Sequence, residues 1–447
     1  MHLPAHVNIC MQALEAASFP TYAVGGCVRD WLLGLQPHDY DLCTAATPDE
    51  IQAALPGHEL LLHGVKHGTV GVVIDSEVVE ITTFRTEGTY TDNRHPDWVE
   101  FVTDIESDLA RRDFTVNAMA WSPKTGLYDP FGGEKDLKNR VLQAVGDPDL
   151  RFQEDALRIL RGIRFAARFG LSVEENTWQA MLRQLPLTDH LAAERVFSEL
   201  CQLLLCVDSS HLLRYAPILT HLIPELAPMV GFDQHSPHHA YDVYTHTAYV
   251  TAATPAALAQ RWAALLHDTG KVPTFTQDEN GRWHFYGHAA QSAAIADAVL
   301  RRLKAPTVLR NYAVWLIENH MLELSPDPKL LRRRISHSSC EAVMALIDLQ
   351  EADMGAKGIP EENDPAFFAQ LREAVRKIQA ENACLRLRDL AIDGNDLIAA
   401  GYTPGKKFST CLQYLLEQVL SENISNERDA LMAAAHAYLS QMPEDVQ

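Results

Sequence analysis

Apolar positions along the first 145 residues come in short runs parted by polar turns. Thr21 to Val24, Tyr40 to Cys43, Thr69 to Ile74 and Val78 to Phe84 read as strands, and Val28 to Leu33 as a helix. Asp75-Ser76 forms the turn between the last two strands. The pattern predicts an α/β arrangement around a mixed sheet. Arg85 to Trp98 is polar and poor in apolar residues, as expected of a mobile loop. From Asp149 onward the helical period takes over and the chain reads as almost all-helical. Turn-rich or Pro-containing breaks fall at Gly231 to His238 and Gly358 to Pro365. The expected organisation is therefore an α+β head over 1–145, a helical segment over 146–230, a helical body over 231–357 and a helical tail over 358–447. Met442 to Gln447 reads as a frayed end.

Composition narrows the class. The 447 residues suit about three domains of roughly 150 residues each. A hydrophobic content of 47% with 22% charged residues is that of a globular chain. No run is apolar for long enough to span a bilayer, so no membrane partner is expected. Met1 to Pro20 lacks a basic segment and a cleavage site, so no secretory signal is read. Eight cysteines without a regular framework point to a reducing, cytoplasmic setting, and Cys201 and Cys206 in an apolar helical stretch are expected in the core. A net charge of -21 argues against a general nucleic-acid binder. Any RNA site must then be a local basic patch, and Arg151 to Arg168 is the candidate.

Gly25-Gly26 follows the first strand, and Arg29-Asp30 opens the next helix. Glycines there let the backbone approach a triphosphate, with helix-start amides facing the anion. A plain tight turn is the alternative. Asp39 and Asp41 flank Tyr40 in the second strand, where positions i and i+2 share a face. Two carboxylates just past a phosphate-binding turn suit Mg2+-dependent nucleotidyl transfer. Glu80 on a later strand is a third carboxylate for the metals or an exposed strand residue.

The segment after Asp147-Pro148 has Asp149 as its expected N-cap. Leu157, Leu160, Ile163 and Ala167 form a buried stripe, and Arg158, Arg161, Arg164 and Arg168 take the opposite flank. Asp155 and Arg158, at i and i+3, read as helix-surface neighbours. A carboxylate accepts hydrogen bonds and a guanidinium donates them. Cytosine and adenine both present an amino donor beside a ring-nitrogen acceptor, whereas uracil and guanine present the reverse. An Asp/Arg pair can thus admit C and A without a nucleic-acid template. The spacing alone also allows a solvated ion pair worth a few tenths of a kcal/mol (~0.3).

GGCVRDWLLG followed by DYDLCT resembles the signature of polymerase-beta-type nucleotidyltransferases. Within them the chain is similar to the class II group of CCA-adding enzymes and bacterial poly(A) polymerases. RRDFTVNAMA at Arg111 to Ala120, DPFGGEKDL at Asp129 to Leu137, QEDALRILRGIRF at Gln153 to Phe165 and AERVFSEL at Ala193 to Leu200 resemble that group's further motifs, in order. The resemblance implies a nucleotidyltransferase head, a neck selecting C or A through Asp155 and Arg158, and Arg112 approaching the incoming nucleotide. Arg161 and Arg164 would contact triphosphate or support the pocket. It further implies that FRTEGTYTDNRHPDWVEF is a loop of the kind found in enzymes adding the complete CCA.

His246, His267-Asp268 in LLHDTGK and Asp353 in LQEADMG resemble the ligand pattern of HD-type metal-dependent phosphohydrolases. Such a set can hold one divalent or transition metal, which would activate water on a phosphoester. His288 and His320 are additional candidates, for a second metal or for phosphate, and Lys271 could neutralise phosphate charge. His238-His239 reads as loop chemistry. Asp393 to Lys407 resembles the tail segment of CCA-adding enzymes that holds the tRNA elbow, or is a simple connector. The expected function is CCA addition to tRNA from CTP and ATP, with no obligatory protein partner. The rivals are a poly(A) polymerase, a CC-only or A-only enzyme, and, from another class, an HD phosphohydrolase with an RNA-binding head.

Overall fold

The computed structural model describes residues 1–88, 99–235, 239–359, 364–381 and 384–441. The chain divides into two compact units, Met1–Ala227 with Leu300–Ala305, and Pro228–Val299 with Pro306–Gln447.

The first unit is built on a seven-stranded sheet. Its strands are β1 (Thr21–Val24), β2 (Asp41–Thr44), β3 (Glu59–Leu61), β4 (Thr69–Ile74) and β5 (Glu77–Thr83), with β8 (Ala120–Ser122) and β9 (Gly126–Tyr128) at one edge. The spatial order is β3-β4-β5-β2-β1-β8-β9. Only the β2–β5 pair is parallel, so the sheet is mixed, as the sequence predicts. β4 and β5 form a hairpin turned by Asp75 and Ser76, both at positive φ (52° and 68°), the conformation that tight hairpins require. Buried Val24, Cys43, Phe84, Leu109, Ala118, Ala120 and Val145 form a core cluster of this unit. β6 (Arg85–Glu87) pairs with β7 (Val99–Phe101), so the expected loop begins as a strand. Its residues 89–98 lie outside the described residues.

Two short helices replace the continuous helix expected after Asp147. Pro148–Glu154 is capped by Asp147, whose side chain accepts from Asp149 N, with Pro148 at the first helical position. The cap is therefore Asp147, and Asp149 instead accepts hydrogen bonds from Arg183 and Gln184. Asp155 breaks the helix at φ −143°, ψ 104°, and a second helix runs over Leu157–Phe169. Leu157, Leu160, Ile163 and Ala167 are buried as expected, but so are Arg158 and Arg164. Cys201 is buried, whereas Cys206 lies past its helix and is only half-buried. A two-residue parallel ribbon, β10 (Val141–Leu142) with β11 (Ser172–Val173), interrupts the helical stretch.

The second unit is helical apart from one ribbon, β12 (Thr276–Gln277) with β13 (Trp283–His284). The helices Val243–Ala253, Leu258–Leu266, Thr307–Asn319 and Cys340–Gly355 carry its core, where Trp262 is fully buried. Leu331, Ile347, Phe368 and Leu371 belong to one further apolar cluster, and Leu397, Cys411, Leu415 and Leu431 to another nearer the C-terminus. Gly405 precedes the helix Lys406–Leu420. The break expected near Gly358 to Pro365 contains residues 360–363, and that near Gly231 contains 236–238, all outside the described residues. So does the tail from Met442. Among the described residues, no helix is long and apolar enough to cross a membrane.

Candidate active site

Strand register brings the first site together. Val24 pairs with Asp41, so the residue before Gly25 stands opposite that carboxylate. Leu42 pairs with Ile81 in parallel, which sets Asp41 beside Glu80 on the neighbouring strand. Gly25 adopts φ 71°, and a Cβ there would lie 2.8 Å from an Arg112 guanidinium nitrogen. Both facts explain why glycine is required. Gly26, the first residue of the helix Gly26–Leu32, lacks a positive φ, and a Cβ there would make only ordinary contact with Arg29.

Asp41, the first residue of β2, borders two cavities. One, of about 380 Å³, is lined by Asp39, Asp41, Glu77 and Glu80 among others. Asp39 lies before the strand, not in it, with its side chain 86% exposed beside His38. The two aspartates thus do not share a strand face, although both line this cavity. Burial, followed by the nearby Glu80, raises the Asp41 carboxyl above its usual range. Such crowding of carboxylates favours a cation among them.

The other cavity, of about 460 Å³, carries six arginines (Arg29, Arg111, Arg112, Arg158, Arg161, Arg195) against Asp41, Asp113 and Asp155, with Gly25, Gly26 and Asn117. Of the candidate patch Arg151 to Arg168, only Arg158 and Arg161 line this cavity; the other four arginines come from elsewhere in the chain. Asp108, with no exposed side-chain surface, accepts from Arg111 and Arg112 at 2.8 and 3.2 Å. Asp113 accepts from Arg161 at 2.9 Å and from Asn117 at 3.0 Å, and Asn117 accepts from Arg29 at 2.6 Å. Burial opposes ionisation of Asp113, but Arg161 and Asn117 outweigh it and hold the carboxyl at about 2. Asp108, Asp113, Asn117 and Arg195 were not singled out from the sequence. Asp113 and Asn117 sit inside RRDFTVNAMA, and only their contacts reveal the work they do.

Asp155 and Arg158 both line this cavity, but they do not pair with each other. The helix break at Asp155 separates them. Asp155 accepts from Leu157 N at 3.0 Å and from Arg195 at 3.0 Å. Arg158 donates to Glu154 at 2.6 Å and to the carbonyls of Arg151 and Arg111. Glu154 is also bonded by Arg151. Arg164 is absent from the cavity lining. Its Nε donates to the buried Glu199 at 2.6 Å, and its guanidinium lies 4.3 Å from the Phe165 ring centre. Phe165 in turn lines the cavity.

The second unit holds a buried histidine–aspartate cluster. His246 Nε2 lies 2.9 Å from Asp353 and 3.6 Å from Asp268. His267 Nε2 lies 3.3 Å from Asp268 and 3.8 Å from Asp353. His288 Nε2 stands 3.6 Å from Asp268 and 3.2 Å from His320 Nε2, so the two additional histidines join the set. Lys271 reaches Asp268 at 2.8 Å. His246, His267 and Asp268, and likewise Asp268, His288 and His320, present ligand atoms close enough to share an ion. Ring nitrogens that face away are fixed by backbone carbonyls: His267 by Ala264, His288 by Phe285 and His320 by Ile317. Such outer bonds orient metal-ligating imidazoles. Burial, then His267, pushes His320 down to about 4, so that it is neutral and able to ligate at neutral pH. His239, read from the sequence as loop chemistry, is half-buried, with its Nδ1 buried and its ring 5.2 Å from that of His246. No sequence spacing marked it.

Residues 21–143 match the poly A polymerase head domain, 170–230 a probable RNA and SrmB-binding site of polymerase A, and 275–435 a putative tRNA nucleotidyltransferase domain 2. The chain is 32% identical over 439 residues to the CCA-adding enzyme of Latilactobacillus sakei, covering 95% of this chain and 96% of that protein. It is 45% identical over 193 residues to the CCA-adding enzyme of Staphylococcus saprophyticus, a match that spans about half of that relative (48%). Its fold is similar to the crystal structure of the Bacillus stearothermophilus CCA-adding enzyme in complex with CTP, with TM-score 0.72, 26% identity and 98% of each chain covered.

Proposed function

Because this chain belongs to the family of CCA-adding enzymes, a relationship that extends along nearly its whole length, we propose that it completes or repairs the 3′-terminal CCA of tRNA from CTP and ATP, without a nucleic-acid template. The observation that carries this reading is the one cavity in which Gly25, Asp41, Asp155, Arg158 and five further arginines of the motifs converge.

The nucleotide's triphosphate lies against the Gly25-Gly26 turn, with Arg29, Arg112 and Arg161 as its counter-charges. Asp155 has lone pairs left to accept from the amino group of C or A. Arg158 uses three of its five N–H donors in the bonds described, leaving others for the ring nitrogen. The tRNA 3′-oxygen bonds to the α-phosphorus, the bond from that phosphorus to the bridging oxygen breaks, and pyrophosphate leaves. Asp39, Asp41 and Glu80 line one cavity with the hard oxygen donors that magnesium prefers. Bound there, magnesium supplies acidity to the 3′-hydroxyl and charge neutralisation to the triphosphate. The proposed organisation is a head over 1–145, a selecting neck over 146–230, a metal-binding body over 231–357 and a tRNA-holding tail over 358–447.

The test is incorporation on tRNA transcripts lacking CCA, CA or A, with each single nucleotide and with CTP plus ATP. Two C and one A followed by a stop is the expected result. C alone or A alone indicates a split-function enzyme, an extended A tract a poly(A) polymerase, and no incorporation overturns the reading.

The second unit favours a second activity, metal-dependent hydrolysis of phosphoesters. Its support is the six-residue cluster of His246, His267, Asp268, His288, His320 and Asp353. His267 Nε2 there is buried without a hydrogen bond, which suits a metal ligand. A bound metal supplies an acidified water. The chain's own part is to orient the imidazoles and, through Lys271, to offset phosphate charge. Metal content by elemental analysis and release of phosphate test it, and a protein that binds no divalent or transition metal overturns it.

A further inference from the structure

Two phenylalanines of the helix Leu157–Phe169 stand where cations collect. The guanidinium of Arg29 lies 5.2 Å from the ring centre of Phe165 and 4.2 Å from that of Phe169. Arg161 and Arg164 lie 5.1 and 4.3 Å from the Phe165 centre. Residues four apart share a helix face, so the two rings, 6.1 Å apart and inclined at 27°, form one socket for Arg29. Phe114 meets Phe165 edge-on at 6.1 Å and holds its ring in place. Phe165 is 6% exposed, yet it lines the same cavity as Arg29, Arg161 and Asp155.

Three guanidiniums around one side chain repel one another, and an aliphatic residue at the centre would do nothing to offset this. The face of an aromatic ring attracts cations within about 6 Å, most strongly where water is excluded. A further carboxylate would also offset the charge, but it would occupy N–H groups that a triphosphate needs. The ring occupies none. Arg29 gives three of its five N–H donors to Asp30 and Asn117, and Arg161 gives Nε and Nη2 to Asp113. We propose that Phe165, assisted by Phe169, is a positioning residue for nucleotidyl transfer: its ring gathers Arg29 and Arg161 in the cavity and leaves their remaining N–H groups to the triphosphate. The inference rests on the nucleotidyl-transfer reading above and adds residues that this reading does not use.

The test weakens the face of the ring and keeps its size. Fluorine withdraws charge from the face, so the full chain is made with Phe165→4-fluorophenylalanine, Phe165→3,5-difluorophenylalanine and Phe165→3,4,5-trifluorophenylalanine. Across this series KM for CTP and for ATP rises stepwise, by about tenfold at three fluorines, the size of one desolvated ring–cation contact, while kcat stays within about twofold. The Kd of inorganic tripolyphosphate, measured by calorimetry, rises in step, and UTP and GTP remain rejected, because the arginines held by the ring meet phosphate and not base. A ring that only filled space would move none of these constants. Constants that stay flat across the series, a loss confined to kcat, or tripolyphosphate that does not bind the wild type overturns the role of the ring. A wild-type chain that adds no nucleotide to tRNA overturns the CCA reading, and the tripolyphosphate series then still judges the ring.

Discussion

Replacing Asp113 by Asn removes one negative charge from a buried hub and leaves its shape. In the wild type this carboxylate holds Arg161 directly and Arg29 through Asn117. Its carboxyl sits at about 2 against an ordinary 3.8, and at 1.36 kcal/mol per unit this amounts to about 2 kcal/mol of folding free energy. The sign follows from the direction. A depressed carboxyl stabilises the fold above its unfolded value of 3.8 and loses that contribution as pH falls from there toward 2. At pH 7 the variant should therefore unfold in urea about 2 kcal/mol less stable, and the gap should narrow only below about pH 4. Function should suffer separately, because Arg161 and Arg29 lose the orientation on which their proposed contact with the triphosphate depends. The loss of one charge-assisted hydrogen bond, about 1.5 to 3 kcal/mol, predicts a KM increase of roughly tenfold to a hundredfold. That increase should be equal for CTP and ATP, with UTP and GTP still rejected, since Asp113 hydrogen-bonds Arg161 and Asn117, and neither Asp155 nor Arg158, the proposed base-selecting residues. Steady-state kinetics with each nucleotide beside urea melts make the check. A variant as stable as the wild type at pH 7, or one whose CTP and ATP constants separate, refutes the reasoning.

Asp155→Ala removes the proposed acceptor for the amino group of C and A, so misincorporation of UTP or GTP should rise by about tenfold or more, a change of about 1 to 3 kcal/mol in discrimination, read by single-nucleotide incorporation. Gly25→Ala places a side chain at φ 71° and 2.8 Å from Arg112, and should cost about 1 to 2 kcal/mol in a urea melt, whereas Gly26→Ala, without either strain, should melt like the wild type. His267→Ala should lower the metal content of the purified protein and abolish phosphate release while leaving CCA incorporation within about twofold, since it removes a proposed ligand of the second cluster.

How much of this was legible in the chain differs by element. The strands over 21–24, 69–74 and 77–83 are short-range features, set by β-branched residues and by turn chemistry at Asp75-Ser76, and could be read to within a residue. The glycine turn, the motif arginines, and the histidines and aspartates of the second unit were marked in the sequence by their resemblance to known motifs rather than by local spacing, since His246 and Asp353 alone stand 107 residues apart. Partnerships were not legible. The break at Asp155 depends on an extended backbone that the helical period of Leu157 to Ala167 conceals, and it sends Asp155 to Arg195, 40 residues away, and Arg158 to Glu154. Burial of Arg158 and Arg164 contradicts the simple amphipathic stripe, because Glu199 and the Arg111 carbonyl supply partners that a helical wheel cannot contain. Asp108 and Asp113 are single carboxylates among the chain's 59 acidic residues, and only the fold shows that they carry arginine networks. The sequence by itself determined which residues could perform the chemistry, since composition and spacing along the backbone are covalent facts. Which guanidinium answers which carboxylate, and which ring nitrogen is left facing inward, was decided by tertiary structure, because an ion pair or a metal-capable cluster forms from distance through space and desolvation, and neither is written in the order of residues.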